Sequence, residues 1–270
     1  MRRILEIFPI ESNIKLAYLF PRESNKFLPM FQPKNNWFII TSGAAPVYEE
    51  ANFNSPCLTE AVFGESCQIL NQKNNWLCVK CEDDYEGWVN TFYGNISPEK
   101  NNPTHRVVFP TENGLYDPKY PFGAKVTENL PGSIQIMDTL GLDQVIPVAE
   151  NLLNTPYKWG GKTSLGMDCS GLVQSVLKVC GLNVPRDSYQ QQEYFTKDEI
   201  QIDQAEPGDL HFFGKDGKVS HVGFSTGGKG ILHSQGMVKE ESLDPADRNV
   251  NQKLIDIYLS SHSIQRKFPS

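Results

Sequence analysis

The chain lacks any apolar run of the length a bilayer-spanning helix requires. It is poor in cysteine, with six in 270 residues, which argues against a disulfide scaffold. Positive charge is in deficit: 25 Lys and Arg stand against 32 Asp and Glu, a net charge of −7. That balance argues against a nucleic-acid backbone or an anionic membrane surface as the main partner. The start, Met1-Arg2-Arg3-Ile4-Leu5-Glu6-Ile7-Phe8-Pro9, has two arginines, but its apolar stretch is short and broken by Glu6 and Pro9. No small-residue cleavage site follows, so a cytoplasmic location is the expectation. Histidine is scarce too, at five residues, so each can be weighed singly as a base.

What is present begins with the cysteines. Cys57, Cys67, Cys78 and Cys81 lie in the N-terminal half. Cys78-Val79-Lys80-Cys81 has half-zinc-site spacing, but Trp76–Cys81 reads as a strand, whose side chains alternate faces. The two thiols then point apart, whereas a zinc pair needs a tight turn. These cysteines are read as structural, and no metal or cofactor is implied.

Cys169 differs by position. Leu172, Val173, Val176, Leu177 and Cys180 follow it at helical spacing, with Asp168 as N-cap and Gly181 as stop. Free cysteine commonly packs as a small hydrophobe, and Cys180, in line with the apolar stripe, fits that role. A thiol in the first helical turn instead meets the positive end of the helix dipole, which favours thiolate. Cys169 is therefore the candidate nucleophile.

The N-terminal half reads as β. Strand-like stretches at Trp37–Thr41, Val47–Tyr48, Ala61–Phe63, Gln68–Leu70, Trp76–Cys81 and Gly87–Asn90 are separated by turn-rich segments such as residues 52–56 and 71–75. Close spacing suggests a small antiparallel barrel. Residues 96–142, rich in Asn, Pro and Gly, read as a connector with strand-like pieces at Arg106–Phe109 and Ser133–Met137, or as a degenerate second barrel. From Leu142 the pattern turns helical, with Asp143 as cap and Pro147 in the first turn. Strands are expected near Leu210–Phe213, Val219–Thr226 and Ile231–Ser234. Helices first and antiparallel strands after make an α+β domain over residues 143–270.

A cysteine nucleophile needs a base and a group to orient it. His105, in the connector, and His262, near the C-terminus, are expected to be solvated, and His211 half-buried. His221 and His233 flank Gly227-Gly228-Lys229-Gly230, a hairpin turn. With a three-residue loop, Thr226 pairs with Gly230 and His221 faces Gln235. His233 is then the diagonal neighbour on the same face. A two- or four-residue loop would put the histidines on opposite faces, so the pair requires an odd loop.

Tyr157-Lys158-Trp159-Gly160-Gly161, Asp168-Cys169-Ser170-Gly171, Pro185-Arg186, Pro207-Gly208-Asp209-Leu210, His221-Val222-Gly223 and Leu232-His233 stand in the order seen in NlpC-type cell-wall cysteine peptidases. Residues 143–245 resemble that family. Residues 41–95, through Phe63-Gly64-Glu65, Asn75-Trp76 and Tyr85-Glu86-Gly87-Trp88-Val89, resemble the bacterial SH3-like domains attached to many cell-wall enzymes. The resemblance implies a papain-like cysteine peptidase domain preceded by a small SH3-like β-barrel within residues 1–95. It implies hydrolysis of the γ-D-glutamyl-diamino acid bond of murein stem peptides, often with a free N-terminal L-alanine, in wall-peptide recycling. Cys169 would be the nucleophile, His221 the base and His233 the orienting residue. Tyr85 and Asp168 match positions that hold the substrate amine, and Ser170, Ser188, Tyr157 and Trp159 match pocket positions. Tyr85 has a second reading as barrel core, and Asp168 as helix cap alone. Glu60 lies near a barrel glutamate of some relatives without aligning to it. A papain-like amidase or acyltransferase, or a non-catalytic wall-peptide binding module, are the alternatives on the same fold.

Overall fold

Apolar and polar residues alternate along the first half of the chain, and that half is built of strands. The computed structural model describes residues 36–110 and 117–265, all within one unit of the chain. The expectations for residues 1–35 lie outside them. Seven strands form the first sheet: β1 (Trp37–Ile40), β2 (Ala44–Tyr48), β3 (Cys57–Val62), β4 (Ser66–Lys73), β5 (Trp76–Lys80), β6 (Glu86–Asn90) and β7 (Gly94–Ser97). Their order is β3-β2-β6-β5-β4-β1-β7, antiparallel throughout. Every second residue turns inward, so Phe38, Ile40, Ala45, Val47, Ile69 and Val79 form its core. This is the SH3-like β domain.

One difference from expectation is local. β4 continues to Lys73, through residues expected to turn, and only Asn74-Asn75 makes the bend, with Asn74 at φ 53. Asparagine tolerates that left-handed conformation. Cys78 is half-buried opposite Trp88, whereas Cys81 is buried beside Cys67.

The connector holds β8 (His105–Val107), β9 (Lys125–Val126) and β10 (Ser133–Gln135), in the order β10-β8-β9. Lys125 N–H donates to Phe63 O at 2.8 Å. Val108 and Phe122 are buried in the core of the C-terminal half, so the connector is packed against both neighbours.

The second half starts with a 3-10 turn, Leu142–Gln144, leading into α1 (Val145–Glu150). Asp143 does not cap this helix: it lies inside the turn, and no side chain caps either element. The hairpin β11 (Lys162–Thr163) and β12 (Gly166–Met167) precedes α2 (Cys169–Val179) and α3 (Ser188–Tyr194). Then come β13 (Glu199–Ile200), β14 (Leu210–Lys215), β15 (Lys218–Gly227), β16 (Gly230–Gln235), β17 (Met237–Ser242), α4 (Gln252–Ile255) and β18 (Tyr258–His262). The sheet order is β13-β18-β14-β15-β16-β17. The α2 stripe of Leu172, Val173, Val176 and Leu177 shares one core with Phe212, Val222, Phe224 and Leu232. Each such side chain contributes about 1.5–3 kcal/mol on burial, which seats the helix on the sheet. Gly181, at φ 99, ends the helix.

His262 is not solvated. It is buried, with Nδ1 donating to Phe195 O at 2.9 Å and Nε2 2.8 Å from Ser260 Oγ, because β18 inserts between β13 and β14 rather than trailing off. His211 is fully buried, Nδ1 lying 2.8 Å from Ser261 Oγ. No helix among the described residues is long and apolar enough to cross a membrane.

Candidate active site

Cys169 is the first residue of α2. Asp168 is its N-cap, with Oδ1 accepting from Gly171 N–H at 2.6 Å. The helix start is pressed onto the 160–161 loop. A Cβ at Gly171 would lie 2.1 Å from Gly161 O, so only glycine permits that approach. Ser234 Oγ donates to Met167 O at 2.7 Å, tying β16 to the residue before the cap. Only 8% of Cys169 is exposed. The backbone amides of Ser170 and of Val222, the neighbour of His221, lie near its sulfur and act to lower the thiol.

The histidine pair arises by a different route from the one expected. The β15–β16 loop has two residues, Gly228-Lys229, with Gly227 opposite Gly230. An unbroken ladder from there would put the histidines on opposite faces. The register shifts between Ser225 and Gly227, leaving Thr226 as a bulge, and Gly223 then faces His233. One looped-out residue thus restores the parity that an odd loop would have given. A Cβ at Gly223 would lie 2.7 Å from His233 Cβ, so glycine makes room for the ring. His221 Nε2 is 2.8 Å from His233 Nδ1.

Sequence reasoning missed the next residue. His233 Nε2 lies 2.8 Å from Glu241 Oε2. His233 pairs with Lys239 across β16–β17, and Glu241, two residues further, shares that face. Burial raises the Glu241 carboxyl, but hydrogen bonds from Lys239, Asn251 and His233 outweigh it and hold the group below the ordinary value.

Burial sets the charge of the resting site. It pushes the Cys169 thiol up to about 11, reinforced by the Asp168 carboxylate and opposed by the Val222 and Ser170 amides and Arg186. Burial, with the nearby His233, pushes His221 down to about 3. Burial also lowers His233, against the pull of Glu241. The helix-terminus field expected to favour thiolate is therefore overridden in the closed site, where thiol and imidazole both rest neutral.

Asp168 is saturated. Arg186 donates from Nη1 to Oδ1 at 3.0 Å and from Nη2 to Oδ2 at 2.6 Å. Gly160 N–H donates to Oδ2 at 2.9 Å, and Ser170 Oγ approaches Oδ1 at 3.3 Å. Arg186 also reaches Ser170 Oγ at 2.9 Å and, with Nε, Thr59 Oγ1 on β3 at 3.0 Å. The cap of the cysteine helix is thus bonded to the SH3-like domain. Glu60, fully buried on β3, pairs with Lys158 and accepts from Lys162 N–H at 3.2 Å. Lys162 Nζ pairs with Asp83 at 2.8 Å.

Tyr85 sits at the same seam, its hydroxyl donating to Asp187 Oδ2 at 3.2 Å. Burial and the neighbouring Asp187 push that phenol up to about 12. Ser188, the next residue, begins α3. Asp187 was not singled out from the sequence, although it follows the Pro185-Arg186 motif. Tyr157 is half-buried, and its phenol is raised to about 12 by burial and by Cys169. Ser170 is buried in the Arg186 network, whereas Trp159 is 69% exposed beside the half-buried Lys158.

One set of metal-capable donors occurs among the described residues: Glu65, Cys67 and Cys81, all buried, with donor atoms within 4.8 Å of one another. Both Glu65 oxygens already accept backbone N–H, from Val62 at 3.1 Å and Glu82 at 2.9 Å. The site residues above form no such group.

Residues 154–257 match the model of the NlpC/P60 family, and residues 47–91 that of the bacterial dipeptidyl-peptidase SH3 domain. A gamma-D-glutamyl-L-lysine dipeptidyl-peptidase of Bacillus subtilis (strain 168) is 26% identical over 218 residues, covering 65% of this chain and 71% of that protein. One of the same name from Bacillus cereus is 25% identical over 225 residues, covering 65% of this chain and 66%, just under two thirds, of that protein. A solved structure of an NlpC/P60 family protein from Bacillus cereus superposes with a TM-score of 0.68 at 20% identity, covering 84% of this chain and 99% of that one. It shares the fold.

Proposed function

For a chain that carries an NlpC/P60 peptidase domain behind a bacterial SH3-like domain, we propose that Cys169 is the nucleophile of a cysteine peptidase acting on murein stem peptides at the γ-D-glutamyl-diamino acid bond. The observation that carries this is the Cys169 helix start packed on β15, whose Val222 amide lies near the sulfur and whose His221 is bonded to His233. The relatives' names support the choice of bond.

His221 Nε2 is engaged by His233, so Nδ1 is the nitrogen available to the thiol. The thiol proton moves to His221 Nδ1 as sulfur attacks the amide carbonyl. The oxyanion falls to the Cys169 amide, a first-turn donor that the helix itself does not use. Loss of one such donor typically costs ~10²–10³ in turnover. The imidazolium protonates the leaving amine, and water then hydrolyses the thioester. Starting from neutral partners, proton transfer accompanies attack instead of preceding it.

A free substrate amine needs an anionic partner. Asp168 has its oxygens filled, whereas Asp187 is bonded through Oδ2 to Tyr85 at the seam beside Ser188. Tyr85 and Asp187 are therefore the proposed amine site, and Asp168 and Ser170 its structural backing. Tyr157, near Cys169, and the exposed Trp159 are the proposed pocket residues. In this reading the enzyme recycles released wall peptides in the cytoplasm.

The test compares L-Ala-γ-D-Glu-L-Lys peptides with free and acetylated N-termini. Cleavage of the free peptide, sharply reduced turnover of the acetylated one and none by Cys169→Ala are expected. Equal turnover of both peptides would reject the amine restriction, and an active Cys169→Ala enzyme would reject the mechanism.

A further inference from the structure

The proposed reaction requires His221 to be neutral with its proton on Nε2, because only then is Nδ1 free to take the thiol proton. His233 alone cannot impose this. A neutral imidazole with either tautomer can sit 2.8 Å from His221 Nε2, as donor or as acceptor at Nδ1. The partner at its other nitrogen decides.

That partner is Glu241, and its orientation is fixed from two sides. Lys239 Nζ donates to Oε1 at 2.8 Å, and Asn251 Nδ2 donates to Oε2 at 2.6 Å. The Asn251 amide cannot be turned round, because its Oδ1 caps α4 by accepting Leu254 N–H at 3.1 Å. Oε2 is thereby aimed at His233 Nε2, and a carboxylate can only accept.

We propose that Glu241 is a positioning residue of this reaction: by accepting from His233 Nε2–H it makes His233 Nδ1 an acceptor, so that His221 must donate from Nε2 and present a bare Nδ1 to Cys169. The inference rests on the peptidase reading of the site. When His221 takes the thiol proton it carries hydrogen on both nitrogens, and the Nε2–H bond to His233 persists, so no further proton moves. Glu241 is paired with Lys239, and the two act oppositely on the histidines. Its contribution is the direction of the hydrogen bond rather than net negative charge.

That distinction can be measured. In the full chain labelled with ¹⁵N-histidine, two-bond nitrogen–proton correlations report the tautomers of His221 and His233. Both are expected as Nε2–H in the wild type, and an Nδ1–H tautomer at His233 would overturn the proposal without any variant. Glu241→Ala should give mixed tautomers and lower kcat about 10²-fold, the low end of what a positioned base contributes, with KM little changed because substrate binding is untouched. Glu241→Gln, whose carbonyl can still accept, should restore the wild-type tautomers and most of kcat. Unchanged tautomers and kcat in Glu241→Ala, or a Glu241→Gln enzyme as impaired as Glu241→Ala, would overturn it. If the wild type cleaves no wall peptide, the peptidase reading fails while the tautomers still decide the role of Glu241.

Discussion

Replacing Arg186 with methionine removes the cation paired with Asp168. Arg186 is 3% exposed and Asp168 7%. The guanidinium supplies both carboxylate oxygens and reaches Ser170 and Thr59. Methionine fills much of the same space but leaves a buried carboxylate with only the Gly160 and Gly171 amides and Ser170. Stranding one member of a buried ion pair costs about 3–5 kcal/mol. At about 2–4 °C per kcal/mol for a protein of this size, the melting temperature should fall by about 6–20 °C. Urea titration and calorimetry read the loss. The double variant Asp168→Asn/Arg186→Met removes the stranded charge and should lose less than the sum of the single changes, by more than about 0.5 kcal/mol. Chemistry gives an independent reading. Asp168 raises the Cys169 thiol and Arg186 lowers it. Iodoacetamide should therefore alkylate Cys169 more slowly in Arg186→Met and faster in Asp168→Asn. A stability loss below about 1 kcal/mol, strictly additive changes, or alkylation shifts of the opposite sign would refute the reasoning.

Gly223→Ala should weaken the His221–His233 contact, because the new Cβ meets His233 Cβ at 2.7 Å and Ile231 Cδ1 at 2.8 Å; a loss of about 1–3 kcal/mol from overpacking, with a matching fall in kcat, is expected by denaturation and steady-state assay. Stability should also fall on acidification. His211 stays neutral down to about 4 and His221 to about 3, while both titrate near 6.5 when unfolded. The unfolded state therefore binds more protons in that window, and stability present above pH 6.5 is lost as pH falls. Each histidine contributes about 1.4 kcal/mol per pH unit there, and His221→Gln should flatten the slope by that amount. Asp187→Asn should raise KM for peptides with a free amine and leave slow turnover of the acetylated peptide unchanged, measured by paired steady-state assays.

Much of the site is legible in the sequence because local rules dominate it. Asp168, Cys169 and Gly181 mark a helix cap, the first residue of that helix and its stop within fourteen residues, and each position follows from capping chemistry. The barrel strands follow from period-two burial. What stayed hidden depends on register or on contacts between distant segments. The Thr226 bulge is invisible to loop counting, since the sequence shows the glycines but not which residue leaves the ladder. Glu241 becomes a partner of His233 only once β16 and β17 are paired. The saturation of Asp168 depends on Arg186 returning from eighteen residues away and on Thr59 in the other domain. The burial of His262 is not legible in the sequence, because nearness to the chain's end says nothing of where β18 inserts.

If Cys169 and His221 hydrolyse the γ-D-glutamyl bond through a thioester, the new carboxylate takes its oxygen from water. Mass analysis of an L-Ala-γ-D-Glu-L-Lys-D-Ala digest in ¹⁸O-water tests it most directly. L-Ala-D-Glu carrying a single ¹⁸O in its new carboxylate, unlabelled L-Lys-D-Ala, and an intact peptide with Cys169→Ala are expected. An uncut peptide, cleavage at another bond, or the same products from Cys169→Ala would contradict it.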